Sequence, residues 1–549
     1  MTQTARLTVE PLDGRLRFYD AEGDPWLEGV WAQAVLSDGT VFTTESGAAT
    51  PEGAGWRVTT PGTDARPELR WRIVPEGPGL LVTLELVNTL PYALSLERLD
   101  PLVAPRGLMG HPGGKLAVAQ SGWQSWSFAA PSVPVAQHPR AGTAPKIAPG
   151  APPSEADRIL VPWATSLQAG ARRLLIGFVD AREHQGAIAV QPLPGAHRLT
   201  AMAYAEGQRV PPGGTWRSEP LLLLLDKPED RAWARYADTL AARMDARQPA
   251  LVSTGWSSWY YFFTEVTEAD MRRNLAYLDA HRARMPISVF QLDDGYQTAI
   301  GDWLSLNEKF PSGMRALTDA IRDKGFEPGI WVAPFLASEH SVLYREHPDW
   351  MLRDANGEPI NAITNWGTRN FGLDTTHPEV EAWLRDTFRV IVQDWGFDYL
   401  KLDFIYAAAM RARRFAPAST SVQAYRRGLA IIRGVVGDRF ILGCGAPFAP
   451  SVGLVDGMRV GPDTAPYWAH LDPHGAEPAL LTAIRSTLAH GWMHRRWYVN
   501  DPDCLIVRRA NSELTPAEVE TWASVVALSG GMVILSDDMD QLEPDRAAI

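Results

Sequence analysis

From about residue 229 to its end, the chain alternates short apolar runs with segments of helical periodicity. Eight of the runs have the length and residue types of buried strands, and they lie at 251–257, 287–292, 329–333, 399–404, 440–443, 456–460, 497–500 and 532–536. Capping signatures begin two of the intervening helices, at Thr267-Glu-Ala-Asp270 and at Thr515-Pro-Ala-Glu518. Eight strand–helix repeats predict a (β/α)8 barrel of the TIM type. A doubly wound sheet is the alternative, but no G-x-G-x-x-G loop follows the first strand.

Residues 1–228 have the pattern of an all-β region. Short apolar runs such as Leu80–Val87 and Leu221–Leu225 are separated by Pro and Gly turns, and convincing helical periodicity is absent. A large β-sandwich fits this pattern. Since 549 residues exceed what one hydrophobic core usually holds, we expect two domains, a β-sandwich over 1–228 and a barrel over 229–549.

Composition and charge disfavour several classes of function. The net charge of −12 argues against a nucleic-acid surface, and no apolar run reaches the roughly 20 residues that span a bilayer. The N-terminus has no apolar segment of the signal-peptide type, and Cys444 and Cys504 are too few for a disulfide framework. These features predict a cytoplasmic protein without nucleic-acid or membrane partners. The 21 Trp residues fit either core packing or flat surfaces that stack on sugar rings.

Acidic residues recur where the predicted barrel strands end, and barrel enzymes place their active sites at those ends. The acidic residues at these positions are Asp293, Asp294, Asp403, Asp463, Asp501 and Asp503, and Trp256, Trp259 and Trp331 flank them. Several carboxylates in a pocket with aromatic walls are what glycoside hydrolysis requires.

The segment Lys401-Leu-Asp403 is the most informative of these strand ends. Residues two apart on a strand point the same way, so both side chains are expected to enter the barrel mouth. A Lys beside a carboxylate favours its ionised form, which a nucleophile requires. A buried structural ion pair is the alternative interpretation.

Asp463 follows Arg459-Val-Gly-Pro, and Pro462 and Pro466 are expected to stiffen the loop that carries it. A general acid needs a raised pKa, which burial or a second carboxylate can provide. Taken alone, however, this segment favours a turn or helix-capping Asp.

No metal site or cofactor site is predicted. His490 and His494 are four residues apart but lack the Glu of an H-E-x-x-H motif, and Cys444 fits inert packing. Asp293-Asp294 fits a turn, a metal ligand pair or a pair of acceptors for two neighbouring sugar hydroxyls. The segment 500–503 could be purely structural.

Nine short motifs follow one another along the chain. They are Trp123-Gln-Ser-Trp126, Gly255-Trp-Ser-Ser-Trp-Tyr260, Phe290-Gln-Leu-Asp-Asp-Gly-Tyr296, Gly329-Ile-Trp-Val-Ala-Pro-Phe335, His347-Pro-Asp-Trp350, Tyr399-Leu-Lys-Leu-Asp-Phe404, Ile441-Leu-Gly-Cys-Gly445, Met458-Arg-Val-Gly-Pro-Asp-Thr-Ala-Pro-Tyr-Trp468 and Asn500-Asp-Pro-Asp-Cys-Leu505. In this order they resemble the family 36 glycoside hydrolases, in particular the bacterial and thermophilic α-galactosidases.

The resemblance implies an N-terminal β-supersandwich, a central barrel and a double displacement with retention of configuration. It implies Asp403 as the nucleophile and Asp463 as the general acid/base, with carboxyl groups roughly 5–5.5 Å apart. It also implies a set of substrate-binding residues, which are Trp126, Trp259, Tyr260, Asp293, Asp294, Trp331, Lys401, Cys444 and Arg459. The C-terminal β domain that usually follows the family's barrel is expected to be absent here.

The expected activity is therefore the exo-hydrolysis of terminal α-linked galactose from oligosaccharides of the melibiose and raffinose type, without a cofactor. A transglycosylase of the same family is one alternative. An α-N-acetylgalactosaminidase is another, although Cys444 and Arg459 would leave little space for an acetamido group. A sugar-binding protein without catalysis is the alternative from a different class. A homo-oligomer is compatible with all of these.

Overall fold

The computed structural model describes residues 7–12, 15–20, 22–107, 116–137, 158–170, 172–194, 196–226, 232–249, 252–470 and 477–549. In the described residues up to Asp226 the regular structure is β, apart from one short 3₁₀ turn, and the first α-helix begins at Ala232. The predicted all-β region is therefore confirmed. The predicted domain boundary between 228 and 229 lies outside the described residues and stays a prediction.

The strands of the all-β region contain 2 to 15 residues, and several of them alternate buried with more exposed side chains. They are β1 (Thr8–Leu12), β2 (Arg15–Tyr19), β3 (Pro25–Leu36), β4 (Val41–Thr43), β5 (Ala48–Glu52), β6 (Gly55–Thr60), β7 (Glu68–Glu76), β8 (Gly79–Val87), β9 (Leu94–Ala104), β10 (Arg106–Gly107), β11 (Leu116–Gln120), β12 (Ala130–Pro134), β13 (Ile159–Pro162), β14 (Ala164–Ala169), β15 (Arg172–Phe178), β16 (Gln185–Leu193), β17 (Ala196–Val210), β18 (Thr215–Arg217) and β19 (Leu221–Asp226).

These strands form two antiparallel sheets in the described part of the chain. One has the order β1-β2-β3-β9-β17-β16-β13, with β4 and β10 pairing to β3. The other has the order β12-β11-β14-β15-β19-β8-β7-β6-β5, with β18 pairing to β8. The inner faces of the two sheets contribute to one hydrophobic core, as expected for a sandwich.

Strands β7 and β8 show how the sequence pattern produces this core. Trp71 pairs with Leu84 and Ile73 with Val82, and these side chains are fully buried. Arg70, which precedes Trp71, points outward and forms an ion pair with Glu85. Apolar residues at every second position thus bury one face of the ribbon, because side chains alternate across a strand.

The second region alternates helices and strands. In chain order its elements are α1 (Ala232–Met244), β20 (Thr254–Ser257), α2 (Trp259–Phe262), α3 (Glu268–Ala280), β21 (Val289–Leu292), α4 (Gly313–Asp323), β22 (Glu327–Val332), β23 (Leu336–Ser338), α5 (Val342–Glu346), β24 (Asn361–Asn365), β25 (Thr368–Gly372), α6 (Pro378–Arg389), β26 (Tyr399–Leu402), α7 (Ser421–Val436), β27 (Phe440–Gly443), α8 (Phe448–Ser451), β28 (Gly457–Arg459), α9 (Leu480–Ala489), β29 (Val499–Asp501), α10 (Pro516–Ser529) and β30 (Val533–Leu535).

Eight of these strands form the predicted parallel barrel. Their order is β29-β28-β27-β26-β22-β21-β20-β30, and the eight predicted runs each contain or overlap one of them. The gap between β29 and β30 is nearly closed by a hydrogen bond from Met532 N–H to the Asn500 carbonyl oxygen, 2.9 Å long. Strands β23, β24 and β25 form a small antiparallel sheet beside the barrel. The predicted TIM-type architecture is confirmed.

Both predicted capping signatures are present at helix N-termini. Thr267 and Asp270 form a reciprocal capping box at α3, and Thr515 and Glu518 form one at α10. Each box satisfies two backbone N–H groups that an isolated helix end leaves unpaired. Among the described residues, no helix is both long and apolar enough to cross a bilayer.

The two regions share a continuous hydrophobic core. Trp123 and Trp126 of the all-β region belong to the same buried cluster as the barrel residues. The imidazole of His490 lies between the two regions, with Nδ1 2.7 Å from the Val460 carbonyl oxygen and Nε2 2.6 Å from that of Ser121. This contact connects the strand-end segment after β28 with the loop that carries Trp126.

Candidate active site

The predicted site residues lie together at the carboxyl ends of the barrel strands. Asp293 and Asp294 follow β21, Lys401 lies in β26, and Asp403 directly follows that strand. Arg459 ends β28. All of these side chains are buried. Because the strands are parallel, their carboxyl ends open on one side of the barrel, and this side holds the site.

Asp403 is held by one donor on each carboxylate oxygen. The indole N–H of Trp331 donates to Oδ2 over 3.0 Å, and the backbone N–H of Phe404 donates to Oδ1 over 2.7 Å. Phe404 itself has a left-handed backbone conformation, with φ of 52°. The Asp403 carboxylate is therefore fixed in orientation at the mouth of the barrel.

Lys401 forms its ion pair with Asp293 and not with Asp403, contrary to the simplest interpretation of their spacing. Its Nζ lies 2.9 Å from Asp293 Oδ2, which also accepts the Gln291 side-chain N–H over 2.6 Å. Strands β21 and β26 are alternate strands of the barrel, and alternate strands contribute side chains to the same interior layer. Burial alone would lower the Lys401 pKa, but the carboxylates of Asp293 and Asp403 hold it well above its ordinary value.

Asp294 accepts two further side-chain hydrogen bonds. Gln297 Nε2 donates to Oδ1 over 2.6 Å, and the Trp366 indole N–H donates to Oδ2 over 2.7 Å. Burial raises the Asp294 pKa to about 6, although both hydrogen bonds oppose that rise. The Asp294 carboxyl is therefore mostly ionised above about pH 6 and mostly protonated below it.

Trp366 was missed by the sequence analysis. It lies in the turn between β24 and β25, with φ of 55°, and its ring packs 5.3 Å from Phe404 and 6.4 Å from Trp331. The only sequence signal was Asn365-Trp-Gly367, a turn pattern between two β-like segments. That pattern predicts a hairpin but does not indicate where the hairpin tip lies.

Arg459 connects the remaining site residues. Its Nη2 lies 2.7 Å from Asp463 Oδ1 and 2.5 Å from Asp503 Oδ2. The same guanidinium lies 3.9 Å from the Cys444 thiol and 3.5 Å from the Tyr260 hydroxyl. Burial raises the pKa of the Cys444 thiol well above its ordinary range, so the thiol is neutral.

Asp463 is the most open of the carboxyl groups in this cluster. Its side chain is 38% exposed, whereas the Arg459 side chain is 2% exposed. Desolvation raises the Asp463 pKa, Arg459 opposes the rise, and the charges of Asp503 and Asp403 raise it further. The carboxyl group is therefore accessible to a ligand and holds its proton more tightly than a free Asp does.

The all-β region contributes Trp126 to the site. The Trp126 ring packs 4.9 Å from Phe404 and 5.9 Å from Tyr406. It also lies against Gly445, whose N–H donates to Ser125 Oγ over 3.2 Å. The predicted approach of the N-terminal region to the barrel mouth is thus present.

The two aromatic residues that follow β20 have different surroundings. The Tyr260 hydroxyl donates to Asp503 and lies near Arg459, within the carboxylate cluster. The Trp259 ring packs 5.3 Å from Phe263, outside that cluster. The structure therefore brings Tyr260 to the predicted site and places Trp259 at its margin.

A separate group of residues has the composition of a metal site. Oxygen or nitrogen atoms of Asp349, His377 and Glu379 lie within 4.8 Å of one another on the outside of the barrel. Asp349 is 65% exposed, and Glu379 accepts the Trp350 indole N–H over 3.0 Å. These residues make ordinary surface and packing contacts and are not connected to the carboxylates at the barrel mouth.

A family model described as Melibiase matches residues 236–434. The matched segment begins within α1 and ends within α7, so it includes Asp293, Asp294, Lys401 and Asp403.

The solved structures that resemble the chain over most of its length include two α-galactosidases. The first is an α-galactosidase from Thermus thermophilus in complex with p-nitrophenyl α-D-galactopyranoside, with a TM-score of 0.68 and 32% identity, covering 90% of this chain and 93% of that one. The second is a GH36 α-galactosidase from Geobacillus stearothermophilus, with a TM-score of 0.64 over 98% of this chain and 76% of that one. At 14% identity, the second shows a shared fold.

Among curated relatives, the chain is similar to an A type blood α-D-galactosamine galactosaminidase from Flavonifractor plautii. The two are 31% identical over 159 residues, which is 28% of this chain and 14% of that protein. The match thus spans far less than two thirds of that relative's length.

Proposed function

Because the chain belongs to the family 36 glycoside hydrolases, the melibiase family, we propose that it is a retaining α-galactosidase. The proposed substrates are oligosaccharides that end in α-linked galactose, such as those of the melibiose and raffinose type. The enzyme would act on the terminal sugar, with Trp126 and Trp366, which both pack on Phe404 beside Asp403, as walls of the pocket. No cofactor takes part in the proposed reaction.

The observation that carries this proposal is the difference between Asp403 and Asp463. Asp403 accepts an N–H group on each oxygen, which suits an ionised nucleophile. Asp463 is partly exposed and has a raised pKa, which suits a proton donor. Two carboxyl groups whose environments differ in this way can divide the acid and nucleophile roles of glycoside hydrolysis.

In the proposed first step, an Asp403 oxygen forms a bond to the anomeric carbon while the glycosidic bond breaks. Asp463 transfers its proton to the departing oxygen, leaving a galactosyl ester on Asp403. In the second step, Asp463 removes a proton from water, and the water oxygen displaces Asp403 from the anomeric carbon. Galactose leaves, and both carboxyl groups return to their starting states. The charge of Asp403 raises the pKa of Asp463, which favours the protonated form that the first step requires.

The other site residues are proposed to hold the sugar. Asp293, Asp294 and Lys401 would bind the axial 4-hydroxyl and its neighbours, and the aromatic residues Trp126, Trp331, Tyr260 and Trp259 would shape the pocket. Cys444 and Arg459 would flank the 2-hydroxyl, where their packing against each other leaves little room for an acetamido group.

The location and the oligomeric state stay predictions. Two free, buried thiols suit a reducing compartment, and we therefore propose the cytoplasm. A homo-oligomer is compatible with the proposed function.

The proposal is tested by turnover of p-nitrophenyl α-galactoside, beside the α-glucoside and the N-acetyl-α-galactosaminide. We expect wild type to cleave the galactoside and Asp403→Ala to lose turnover. Asp463→Ala should be slowed by about 10²–10⁴-fold on substrates with poor leaving groups and much less on aryl galactosides. Asp349→Ala, an exposed Asp outside the site, is the matched control and should behave as wild type. A folded wild-type protein without turnover on any of these substrates would contradict the proposal and leave sugar binding as the alternative.

Azide distinguishes the two roles. In Asp403→Ala, azide should take the place of the nucleophile and give β-galactosyl azide. In Asp463→Ala, azide should attack the galactosyl ester from the opposite face and give α-galactosyl azide. Rescue of neither folded variant, or the reversed products, would show that the roles are assigned wrongly. A sucrose acceptor added to the wild-type reaction measures transfer against hydrolysis.

A further inference from the structure

Asp503 lies behind the proposed acid/base residue and accepts an unusual number of hydrogen bonds. Its Oδ2 is 2.5 Å from Arg459 Nη2, 2.7 Å from the Thr464 backbone nitrogen and 3.1 Å from Thr464 Oγ1. The Tyr260 hydroxyl donates to the same oxygen. Asp503 is buried, and its φ of 89° is rare for a residue with a side chain. The residue Asp503 therefore has a strained backbone conformation, and strained residues often lie at functional sites.

Two of these contacts lead directly to Asp463. Thr464 is the residue after Asp463, so its N–H anchors the loop that carries the acid/base carboxyl. Arg459 Nη2 is shared, at 2.7 Å from Asp463 and 2.5 Å from Asp503. One guanidinium thus faces two carboxylates, and the fully buried one is the nearer.

We propose that Asp503 is a positioning residue for Asp463, which anchors the Asp463 loop through Thr464 and shares the charge of Arg459. With Asp503 in place, Arg459 is already paired, and Asp463 keeps its proton until the leaving group takes it. Without the Asp503 charge, Arg459 would act on Asp463 alone and would stabilise its ionised form. This inference rests on the proposed function, since it gives Asp463 the acid/base role.

The other titratable and charged groups around this pair are placed on several elements. Those that act on Asp463 or Asp503 are Arg459 in β28, Lys401 and Asp403 at β26, Asp501 in β29, Tyr260 in α2, and the thiols of Cys444 and Cys504. The positive charges are Arg459 and Lys401, and Lys401 is committed to Asp293. Arg459 is therefore the cation whose pairing decides the proton affinity of Asp463.

The test is the pH dependence of kcat/KM in Asp503→Asn. We expect the alkaline limb, where Asp463 loses its proton, to move down by roughly one pH unit or more, as removal of a close negative charge requires. Above the new limb, raffinose hydrolysis should fall more than hydrolysis of p-nitrophenyl α-galactoside, because the aryl leaving group needs little protonation. Asp503→Glu keeps the charge and should restore the position of the limb. Thr464→Val removes one hydrogen bond but no charge, and its limb should stay in place.

If Asp503 has only a structural role, Asp503→Asn should slow the hydrolysis of both substrates equally and leave the alkaline limb in place. That result would overturn the proposal. Asp463→Asn, measured alongside, should abolish the alkaline limb; if it does not, the acid/base assignment itself has failed. Hydrogen–deuterium exchange of residues 460–467 gives a readout that needs no turnover. We expect faster exchange there in Asp503→Asn, or in Asp503→Ser if the Asn variant does not fold. Unchanged exchange would contradict the anchoring of the loop.

Discussion

At the scale of single residues, the site is built from carboxyl groups of one chemical type in different surroundings. Asp403 has two N–H donors, Asp294 has two side-chain donors in a buried position, and Asp463 is partly open beside Arg459. Desolvation favours the protonated form, and close cations and hydrogen bonds favour the ionised form. The balance between desolvation and these stabilising contacts differs at each position. Aspartate side chains of the same type can therefore differ in proton affinity and take different roles.

Asp294 gives a pH prediction. Its pKa of about 6 means that it is ionised above pH 6 and protonated below, so its ability to accept two sugar hydroxyls is lost as the pH falls through that value. The profile of kcat/KM against pH should therefore have an acid limb, in which kcat/KM falls by about tenfold for each pH unit below pH 6. In Asp294→Asn this limb should disappear, and kcat/KM should be lower by about 10²-fold at pH 7, since hydrogen bonds to a charged group are lost. Profiles of wild type and Asp349→Asn provide the comparison; a limb near pH 6 that persists in Asp294→Asn would contradict the assignment.

At the scale of elements, a short hairpin decides the shape of the pocket. The turn between β24 and β25 places Trp366 over Asp294, and residues 72 positions apart in the chain thus form one hydrogen bond. The hairpin is extended by β23, which pairs with β25 and follows barrel strand β22 in the chain. The pocket wall therefore comes from a loop insertion, as is usual in barrels.

Trp366→Phe tests this element. The Phe ring keeps the contact with Phe404 and loses the N–H that orients Asp294, so we expect KM to rise by about tenfold with a small change in kcat. The acid limb should also move to higher pH, because the lost hydrogen bond had lowered the Asp294 pKa. Trp383→Phe, on α6 and packed near Trp350, is the matched control. An equal effect of both substitutions would show that the contact with Asp294 is unimportant.

The loop after β27 gives a second prediction at this scale. A Cβ on Gly445 would lie 2.7 Å from the Trp126 ring, and the residue has φ of 51°. Gly445→Ala should displace Trp126, reduce kcat/KM by about tenfold or more and destabilise the fold by about 1–3 kcal/mol. Gly437→Ala has a similar φ of 64° with open space around it, so it reports the backbone strain alone. Adding Trp126→Ala to Gly445→Ala should recover part of the lost stability, and strict additivity in thermal unfolding would argue against a clash.

At the scale of the whole molecule, the all-β region and the barrel are joined through buried contacts. They share a hydrophobic core, and Thr420 at the start of α7 donates to the Glu183 carbonyl oxygen. Beside that contact, Glu219 is buried and accepts the Glu183 N–H over 2.7 Å. Burial raises the Glu219 pKa to about 8, so this carboxyl is mostly protonated at neutral pH.

Glu219 should therefore make stability depend on pH. The folded protein binds this proton up to about pH 8, whereas the unfolded chain releases it near 4.5, so stability falls as the pH rises between the two values. The expected slope is up to about 1.4 kcal/mol per pH unit. Glu219→Gln should flatten this part of the profile and raise the melting temperature at pH 8 relative to wild type. The exposed Asp64→Asn is the control, and an unchanged slope in Glu219→Gln would refute the assignment.

The eight barrel strands and the two capping boxes were predictable from sequence because their signals are local. Strand runs, helical periodicity and N-cap patterns depend on residues within one element, and the alternation of elements limits the fold to few choices. The strand ends also indicated six Asp residues as candidates, since the carboxyl ends of parallel strands meet at one side of the barrel. The choice of Asp403 and Asp463 among them came from the family resemblance. The pairing of Lys401 with Asp293 was not predicted, because it depends on which strands contribute to one interior layer.

The sequence by itself thus determined the architecture, through patterns that span a few residues, and it indicated a set of strand-end carboxyl groups as candidates for catalysis. The tertiary structure alone decided that Trp366 meets Asp294, that Asp503 shares Arg459 with Asp463, and that Trp126 reaches the barrel mouth. These contacts join segments that lie far apart in the chain. The protonation state of each carboxyl group follows from them, because desolvation and neighbouring charges are properties of the folded molecule.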